Sequence, residues 1–384
     1  MHIFYPIGTF YPAQSGGPSN SVYWLAKAMV RQGVSITVVS TDTDQPDNTL
    51  RDQWIDSEAG RIRYVTTRHH GLPWRVIWQS FHLLATTDVV HLASLFYPLS
   101  LAVGFLALLR GKIVVWSPHG ELAPAALAYR SARKKAALKW LLRKSKAITF
   151  HTTSPNETAQ VRQQFGPSVR VIELPNYMEL PALLPRSNKQ SSPYLLFLGR
   201  LHPIKALDKL IEAIALSSAF RQGSWQLRLV GPDLDGYGDI LRRQTDRLNI
   251  TNRITFELPV SGIEKEVLLA NAYALVLPSH SENFGNVVVE ALAQGTPVIA
   301  STGTPWATLS TTNTGFFVSN DPAELAAAIT ACLSLSADAY AGYRERALAL
   351  AQDQFDIKTN SHRWLAAYQQ TLLSTNQHPP VCVI

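Results

Sequence analysis

Short apolar runs alternate with longer stretches of helical spacing along the first half of the chain. Residues 1–7 form an apolar run, Gly16-Gly17-Pro18-Ser19 follows, and 22–31 carries helical spacing that Gly33 ends. Residues 34–40 read as the next strand. Further strands are predicted at 61–66, 89–93, 113–117, 147–152 and 169–174, with helices between most of them. Such a series of strand-helix-strand units calls for an α/β chain with a parallel, doubly wound sheet. The longest uncharged run, between Asp88 and Arg110, holds His91, Ser94, Pro98 and Ser100. It breaks into a strand, a turn and a helix over 101–109 rather than a membrane span.

The pattern pauses at 182–193, a stretch rich in Pro, Ser and Asn, and then restarts. Strands are predicted at 194–199, 225–230, 253–257, 274–278 and 297–301, and helices at 206–215, 238–248, 264–270 and 287–293. The expected organisation is therefore one α/β domain at 1–181, a linker at 182–193 and a second at 194–357. A last helix, about 358–375 with Trp364 and Tyr368 on one face, could return to the first domain.

Composition narrows the class. The chain has 384 residues, 46% hydrophobic and 16% charged, which suits a folded protein and excludes a disordered one. Two cysteines, Cys332 and Cys382, exclude a disulfide scaffold or a cysteine-rich zinc site and fit a reducing compartment. No secretory signal is read at residues 1–10. Charge is uneven: residues 1–190 carry 21 Lys/Arg against 11 Asp/Glu, and 191–384 carry 14 against 17. A basic half beside a mildly acidic one points to an anionic partner for the first half.

Four motifs carry candidate chemistry. Ser281-Glu282-Asn283-Phe284-Gly285-Asn286-Val287 follows a strand and opens a helix that includes Glu290. A helix N-terminus suits a phosphate, Gly285 allows close approach, and the two carboxylates can accept sugar hydroxyls. Arg200 and Lys205, after the strand ending at Gly199, could clamp a diphosphate or be a solvated basic loop. Gly16-Gly17 permits approach to an anion but lacks the dinucleotide spacing, and could be only a glycine-rich turn. His119, just past a predicted strand, faces the ligand crevice of such a sheet, or is a loop histidine with a structural hydrogen bond.

Other features read as ordinary. Asp42-Thr43-Asp44 and Asp233-Leu234-Asp235 resemble metal-binding pairs, but such short strings arise often by chance. His69-His70 has no carboxylate or cysteine cluster beside it and reads as surface. The segment Arg130–Lys146 interleaves cations with Ala, Leu and Trp140. It is either a basic amphipathic helix lying on an anionic membrane or a solvated helix with its apolar stripe in the core. Trp74 and Trp78 flank Arg75 in a stretch that also suits an interface.

Taken together, the motifs resemble those of the retaining glycosyltransferases of family 4. Gly16-Gly17 matches the family's N-terminal glycine loop, and His119-Gly120 its first-domain histidine. Pro175-Asn176 resembles the end of its first domain, Arg200 and Lys205 its G-R-x-x-x-x-K, and Glu282 and Glu290 its E-x-F-G-x-x-x-x-E. Asn176-Tyr177-Met178-Glu179 departs from the usual N-G-V-D. The resemblance implies a GT-B fold, with two Rossmann-like doubly wound domains facing a cleft, the first for the acceptor and the second for a UDP- or GDP-linked sugar.

It also implies roles. Glu290 would bind ribose. Arg200, Lys205 and the N–H groups at Gly285–Val287 would hold the leaving diphosphate, with Gly17 on its other side. Glu282 would bind sugar hydroxyls and His119 would contact the sugar near the reacting carbon, while base selection would rest on backbone near Pro232 and Val260. No cofactor and no Mg²⁺ are expected, because the cations do the work of charge stabilisation. The acceptor would be a lipid-linked or free glycan in bacterial cell-surface polysaccharide or lipopolysaccharide synthesis. The protein would be cytoplasmic and peripheral on the inner face of the membrane, with no nucleic-acid partner. The competing readings are another GT-B enzyme, an epimerase or a phosphorylase, and a non-catalytic membrane- or polyanion-binding protein.

Overall fold

The computed structural model describes residues 1–13, 17–67, 71–128, 132–186 and 192–376. Gly16, His69, His70, Arg130 and Cys382 lie outside the described residues. The chain divides into two compact units, one of Met1–Glu179 with the segment from Ile357 on, the other of Leu180–Asp356.

Unit 1 contains β1 (His2–Ile7), α1 (Gly17–Arg31), β2 (Ser35–Thr41), β3 (Trp54–Ser57), β4 (Gly60–Val65), α2 (Trp74–Leu83), β5 (Val89–Ala93), α3 (Pro98–Leu109), β6 (Ile113–Ser117), α4 (Pro124–Ala128), α5 (Ala132–Lys144), β7 (Ile148–Thr152), α6 (Pro155–Phe165) and β8 (Arg170–Glu173). Its eight-stranded sheet has the order β3-β4-β2-β1-β5-β6-β7-β8. The parallel sheet read from the sequence needs one correction: β3 runs antiparallel to β4, with Trp54 opposite Arg63 and Ser57 opposite Gly60. The central strands are buried on both faces, which is why they read as unbroken apolar runs. Ile3, Tyr5, Val89 and Val115 point to one face, where α1 packs. Phe4, Val90, Val114 and Trp116 point to the other, against α2, α3 and α5. The uncharged stretch after Asp88 is indeed strand, turn and helix, and α3 buries Leu99, Val103 and Ala107 as one stripe. No single described helix is long and apolar enough to cross a membrane.

Unit 2 contains β9 (Tyr194–Leu198), α7 (Leu207–Leu216), α8 (Ser218–Gln222), β10 (Gln226–Val230), α9 (Tyr237–Arg247), β11 (Ile254–Glu257), α10 (Gly262–Asn271), β12 (Ala274–Leu277), α11 (Asn286–Ala293), β13 (Val298–Ser301), α12 (Thr308–Thr311), β14 (Gly315–Val318), α13 (Pro322–Leu333) and α14 (Ala337–Phe355). All six strands are parallel, in the order β11-β10-β9-β12-β13-β14. The expected linker is not free chain. Ala182 and Leu184 bond to the buried amide of Gln294, and Arg186 donates to the carbonyl of Ala270 at 2.9 Å, so its described part is fastened to unit 2.

The last helix, α15 (Ile357–Asn376), belongs to unit 1, where Trp364 and Tyr368 join the core beside α1. The turn that departs from N-G-V-D is its anchor. Ile357 N–H donates to Met178 O at 2.9 Å, Arg363 to the Tyr177 hydroxyl at 3.1 Å, and Glu179 pairs with Lys27 at 2.6 Å and Lys358 at 3.6 Å.

Candidate functional site

In a doubly wound sheet, ligands bind beyond the carboxyl ends of the strands, where successive connections leave in opposite directions. In unit 2 that point lies between β9 and β12, because β9 leads outward to β10 and β11, and the chain then returns to β12. The loops that follow these two strands are 199–206 and 278–285. They carry Arg200, Lys205 and Glu282.

The loops are fastened together. His280 N–H donates to Ile204 O at 2.8 Å, and Lys205 forms an ion pair with Glu282, both side chains being largely buried. Glu282 also accepts from the Ser279 hydroxyl at 3.2 Å, and its N–H donates to Gly303 O at 3.0 Å. Both side-chain bonds fall on Oε2, so Oε1 of Glu282 takes no partner among the described residues. A carboxylate offers about four acceptor positions, so this one is oriented yet has capacity left. Arg200 is exposed and forms no hydrogen bond or ion pair among the described residues.

Close backbone contact makes the loops tight. A side chain on Gly303 would meet the carbonyl oxygens of Ser279 and His280 at 2.4 Å, and one on Gly231 would meet Gly199 O at 2.0 Å. Gly285 has φ +79° and caps α11, so Asn286 and Val287 begin the helix with their N–H groups at its positive end. A left-handed Ala206, at φ +51°, similarly turns Lys205 off the start of α7. Pro232 contributes its carbonyl, which accepts from Leu201 N–H at 2.9 Å, and Val260 sits half-buried in the loop after β11.

Two predicted site residues have partners that the sequence did not reveal. The Phe284 side chain is buried against Trp306 and Phe355, so it anchors the loop from within, and Trp306 donates to the Phe284 carbonyl. Glu290 is held by Lys265 of α10 at 2.8 Å, leaving its other oxygen for a ligand hydroxyl. Lys265 had no signal of its own, lying 25 residues from Glu290.

Neither Asp-x-Asp string is a free pair. Asp42 accepts from the Thr67 N–H and hydroxyl, both at 3.0 Å, and Asp233 accepts from Gly238 N–H at 3.0 Å at the start of α9. Among the described residues no three His, Cys, Asp or Glu side chains gather at metal-ligand distance.

In unit 1 the corresponding point lies between β1 and β5. A side chain on Gly8 would meet the Tyr97 ring at 2.8 Å, so the loops after these strands touch. Gly17 starts α1 beyond β1. His119 follows β6 at φ +51°, in the left-handed region where non-glycine residues are uncommon. Two carboxylates to which the sequence reading gives no role fix this region. Glu157, almost fully buried, accepts from Gly120 N–H at 2.8 Å, Thr153 N–H at 2.8 Å and the Thr153 hydroxyl at 3.0 Å. Glu121 accepts from the Ser94 hydroxyl at 2.7 Å and from the N–H groups of Leu95 and Phe96. Burial raises the pKa of both above the usual carboxylate value.

His119 Nε2 is buried and has no partner among the described residues, and burial pushes the pKa of the ring down to about 4. It lines a small pocket with His91, Ser117, His151, Asn176 and Trp364. The other two histidines are also held neutral, His151 at about 3 and His91 well below the ordinary value, chiefly by burial.

Their hydrogen bonds run in one direction. The Leu174 carbonyl can only accept, so His151 donates to it from Nε2 (3.0 Å) and accepts at Nδ1 from the Ser117 hydroxyl (2.7 Å). Ser117 then accepts from His91 Nε2 (2.8 Å), His91 Nδ1 accepts from the Tyr368 hydroxyl (2.7 Å), and Tyr368 accepts from Tyr5 (2.8 Å). The C-terminal helix is thereby wired to the strand ends beside His119.

The expected membrane helix looks different in the structure. In α5, Ala137, Leu138 and Leu141 are buried in the core, so its apolar stripe is spent on packing and its cations face outward.

Comparison with known proteins fits this geometry. Residues 192–334 match the family described as "Glycosyl transferases group 1", and residues 16–177 the "Glycosyl transferase 4-like domain". Among curated relatives, a D-inositol 3-phosphate glycosyltransferase of Mycobacterium leprae is 33% identical over 192 residues, which is 47% of this chain and 43% of the relative. The chain thus matches less than half the length of that relative. Sucrose-phosphate synthase from Thermosynechococcus elongatus superposes with a TM-score of 0.76 at 21% identity, covering 97% of this chain and 100% of that one. Alr3699/HepE of Anabaena, in complex with UDP-glucose, gives 0.75 at 19% identity, covering 96% and 100%. At such identities the likeness concerns the fold, which is GT-B.

Proposed function

Because the chain belongs to the group 1 glycosyl transferases, with a 4-like domain in its first half, we propose that it moves a hexose from a UDP- or GDP-linked donor, with retention, to a lipid-linked glycan in bacterial cell-surface polysaccharide synthesis. The observation that carries the donor reading is the pair of fastened loops after β9 and β12. They put an unpaired Arg200, a tethered Lys205 and the N-terminus of α11 around one crevice of unit 2. The UDP-glucose bound by the Anabaena protein of the same fold supports a nucleotide-sugar donor.

The chemistry follows from charge. As the bond between the anomeric carbon and the phosphate oxygen breaks, the electron pair stays on the departing nucleoside diphosphate. Arg200, Lys205 and the N–H groups of Asn286 and Val287 stabilise that charge more than they stabilise the donor. The acceptor hydroxyl attacks the same face of the sugar and gives its proton to the departing phosphate oxygen, so charge and configuration are both accounted for. Glu282 orients sugar hydroxyls through Oε1, and Glu290 takes ribose hydroxyls. His119, being uncharged, offers a hydrogen bond to the sugar and no positive charge. With these cations in place, turnover does not depend on Mg²⁺. The basic composition of the first half supports work at the inner face of the cytoplasmic membrane.

The test is product analysis. The purified chain is incubated in EDTA with UDP- and GDP-hexoses and a short-chain lipid diphosphate glycan. Release of one nucleoside diphosphate together with a new glycosidic bond of unchanged anomeric configuration is expected. An interconverted nucleotide sugar, or a sugar phosphate as product, would instead make the chain an epimerase or a phosphorylase.

A further inference from the structure

One face of unit 1 carries apolar side chains that the core does not use. Helices α2, α3 and α5 all pack on the sheet face lined by Phe4, Val90 and Trp116, so their outer sides form one continuous layer. In α2, Val76 and Ser80 point inward, yet Trp74, Trp78 and Phe81 recur at helical spacing on the other side and are 64%, 61% and 36% exposed. A helix with an apolar stripe on both sides has a second surface to cover. In α3 the outward residues Phe105 and Leu109 are 45% and 65% exposed.

The helices are stitched edge to edge. The Arg110 guanidinium lies 3.5 Å from the centre of the Phe81 ring, joining the end of α3 to α2. Phe105 stands 6.2 Å from Trp140 of α5. The helices of this shelf carry charge of one sign, and the acid against them, Asp52, is paired with Arg75 of α2 at 3.2 Å. Helices α2, α3 and α5 contain no Asp or Glu, and α5 holds Lys135, Lys139, Arg143 and Lys144 exposed at its margin.

We propose that this shelf is a membrane-docking face, in which Trp74 and Trp78 enter the headgroup boundary of an anionic bilayer while the outward cations of α5 meet its phosphates. The assignment deepens the reading of a lipid-linked acceptor and shifts the inserting element from the basic α5 to α2. Tryptophan prefers the membrane boundary, because its large ring is apolar and its N–H is not. Lysine is depleted at protein–protein interfaces but is attracted by anionic lipid, which decides the occupant by charge complementarity. A ten-residue helix cannot span a bilayer, so α2 lies in the plane of the surface.

The experiment is sedimentation of the full chain with vesicles of 70% phosphatidylcholine and 30% phosphatidylglycerol, compared with vesicles of phosphatidylcholine alone. Binding only to the anionic vesicles is expected. Trp74→Ser/Trp78→Ser should lower the partition coefficient at least tenfold without changing the melting temperature. Lys139→Ser/Arg143→Ser should lower it by about fivefold per charge removed, an effect that 0.5 M salt abolishes. Equal binding of the tryptophan variant and the parent would overturn the proposal. So would failure of the parent to bind anionic vesicles, or loss of a dimer in the tryptophan variant, which would make the shelf an interface between copies. Nucleoside diphosphate release from donor alone is measured alongside. It should be unchanged in both variants, so loss of docking is distinguishable from failure of the transferase reading.

Discussion

The two units build their candidate sites with opposite electrostatics. Unit 2 uses charges in pairs: Lys205 with Glu282 and Lys265 with Glu290, beside an unpaired Arg200. Unit 1 lines its pocket with imidazoles kept neutral by burial, and a one-way run of hydrogen bonds orders two of them, His91 and His151, beside His119. On the proposed function the difference follows from task. A departing diphosphate needs countercharge, whereas a sugar hydroxyl needs a hydrogen-bonding group whose direction is fixed and whose charge does not compete with the anion.

Acid should separate the units most sharply. His91, His119 and His151 have pKa values below their unfolded value of 6.5, so the unfolded chain binds more protons as pH falls below that value. The stability they contribute is present above pH 6.5 and is lost on acidification, at about 1.4 kcal/mol per pH unit for each histidine between its two pKa values. Glu121 and Glu157 act with the opposite sign, since their raised pKa values favour the fold as pH drops into the carboxylate range, so the clearest window is pH 6.5 to 5. His202 and His280, the histidines of unit 2, are not buried. Calorimetry across that window should show one transition falling steeply and a second, raised by UDP, moving little. Parallel movement of both would break the contrast.

Next in size is the ion pair. Lys205→Ala removes a cation from the leaving group and strands the largely buried Glu282, and should lower turnover by roughly a hundredfold to a thousandfold. His119→Ala should cost about ten- to a hundredfold in kcat, the worth of one hydrogen bond to the sugar, with the affinity for nucleoside diphosphate unchanged. If His119→Ala weakens nucleotide binding as Lys205→Ala does, the division of labour is wrong. The smallest effect is expected from Tyr368→Phe, which takes the proton donor away from His91 Nδ1 and should destabilise unit 1 by about 1–3 kcal/mol in urea unfolding, with little change in unit 2.

The same contrast explains what could be read from sequence. In unit 2, Arg200 and Lys205 lie in one loop and Glu282, Gly285 and Glu290 in one turn and helix, so their arrangement is local and the spacing carries it. The pairings that hold them are not local: Lys205 meets Glu282 across 77 positions. In unit 1, His91, Ser117 and His151 come from three strands and Tyr368 from the far end of the chain, so only the topology brings them together. His119 was legible because it follows a strand, whereas Glu121 and Glu157 looked like any loop or helix carboxylate.

The fold was most legible where strands are buried on both faces, as in β5, β6 and β9. It was least so at the edges. The four-residue β3 has a mixed burial pattern and no period, and β14 begins at Gly315, where any side chain would run into Val298 O at 1.9 Å. Between 301 and 358 the sequence reading marks only the loop Gly303-Thr304-Pro305-Trp306, as a departure from the family pattern, and no strand or helix, although Asp321 before Pro322 is a helix start and its carboxylate caps Ala323 N–H at 2.9 Å. The apolar content of α5 was visible but its direction was not, since a basic helix with a core-facing stripe and one with a membrane-facing stripe share a pattern.

Calorimetric titration of the whole protein with UDP and with GDP, in EDTA, tests the central claim most directly, on the parent and on Arg200→Ala. One of the two nucleotides should bind without metal, and Arg200→Ala should weaken it at least tenfold while leaving the melting temperature of the free protein unchanged. Binding of neither nucleotide, or equal binding by the variant, would contradict a donor site built on the crevice between β9 and β12.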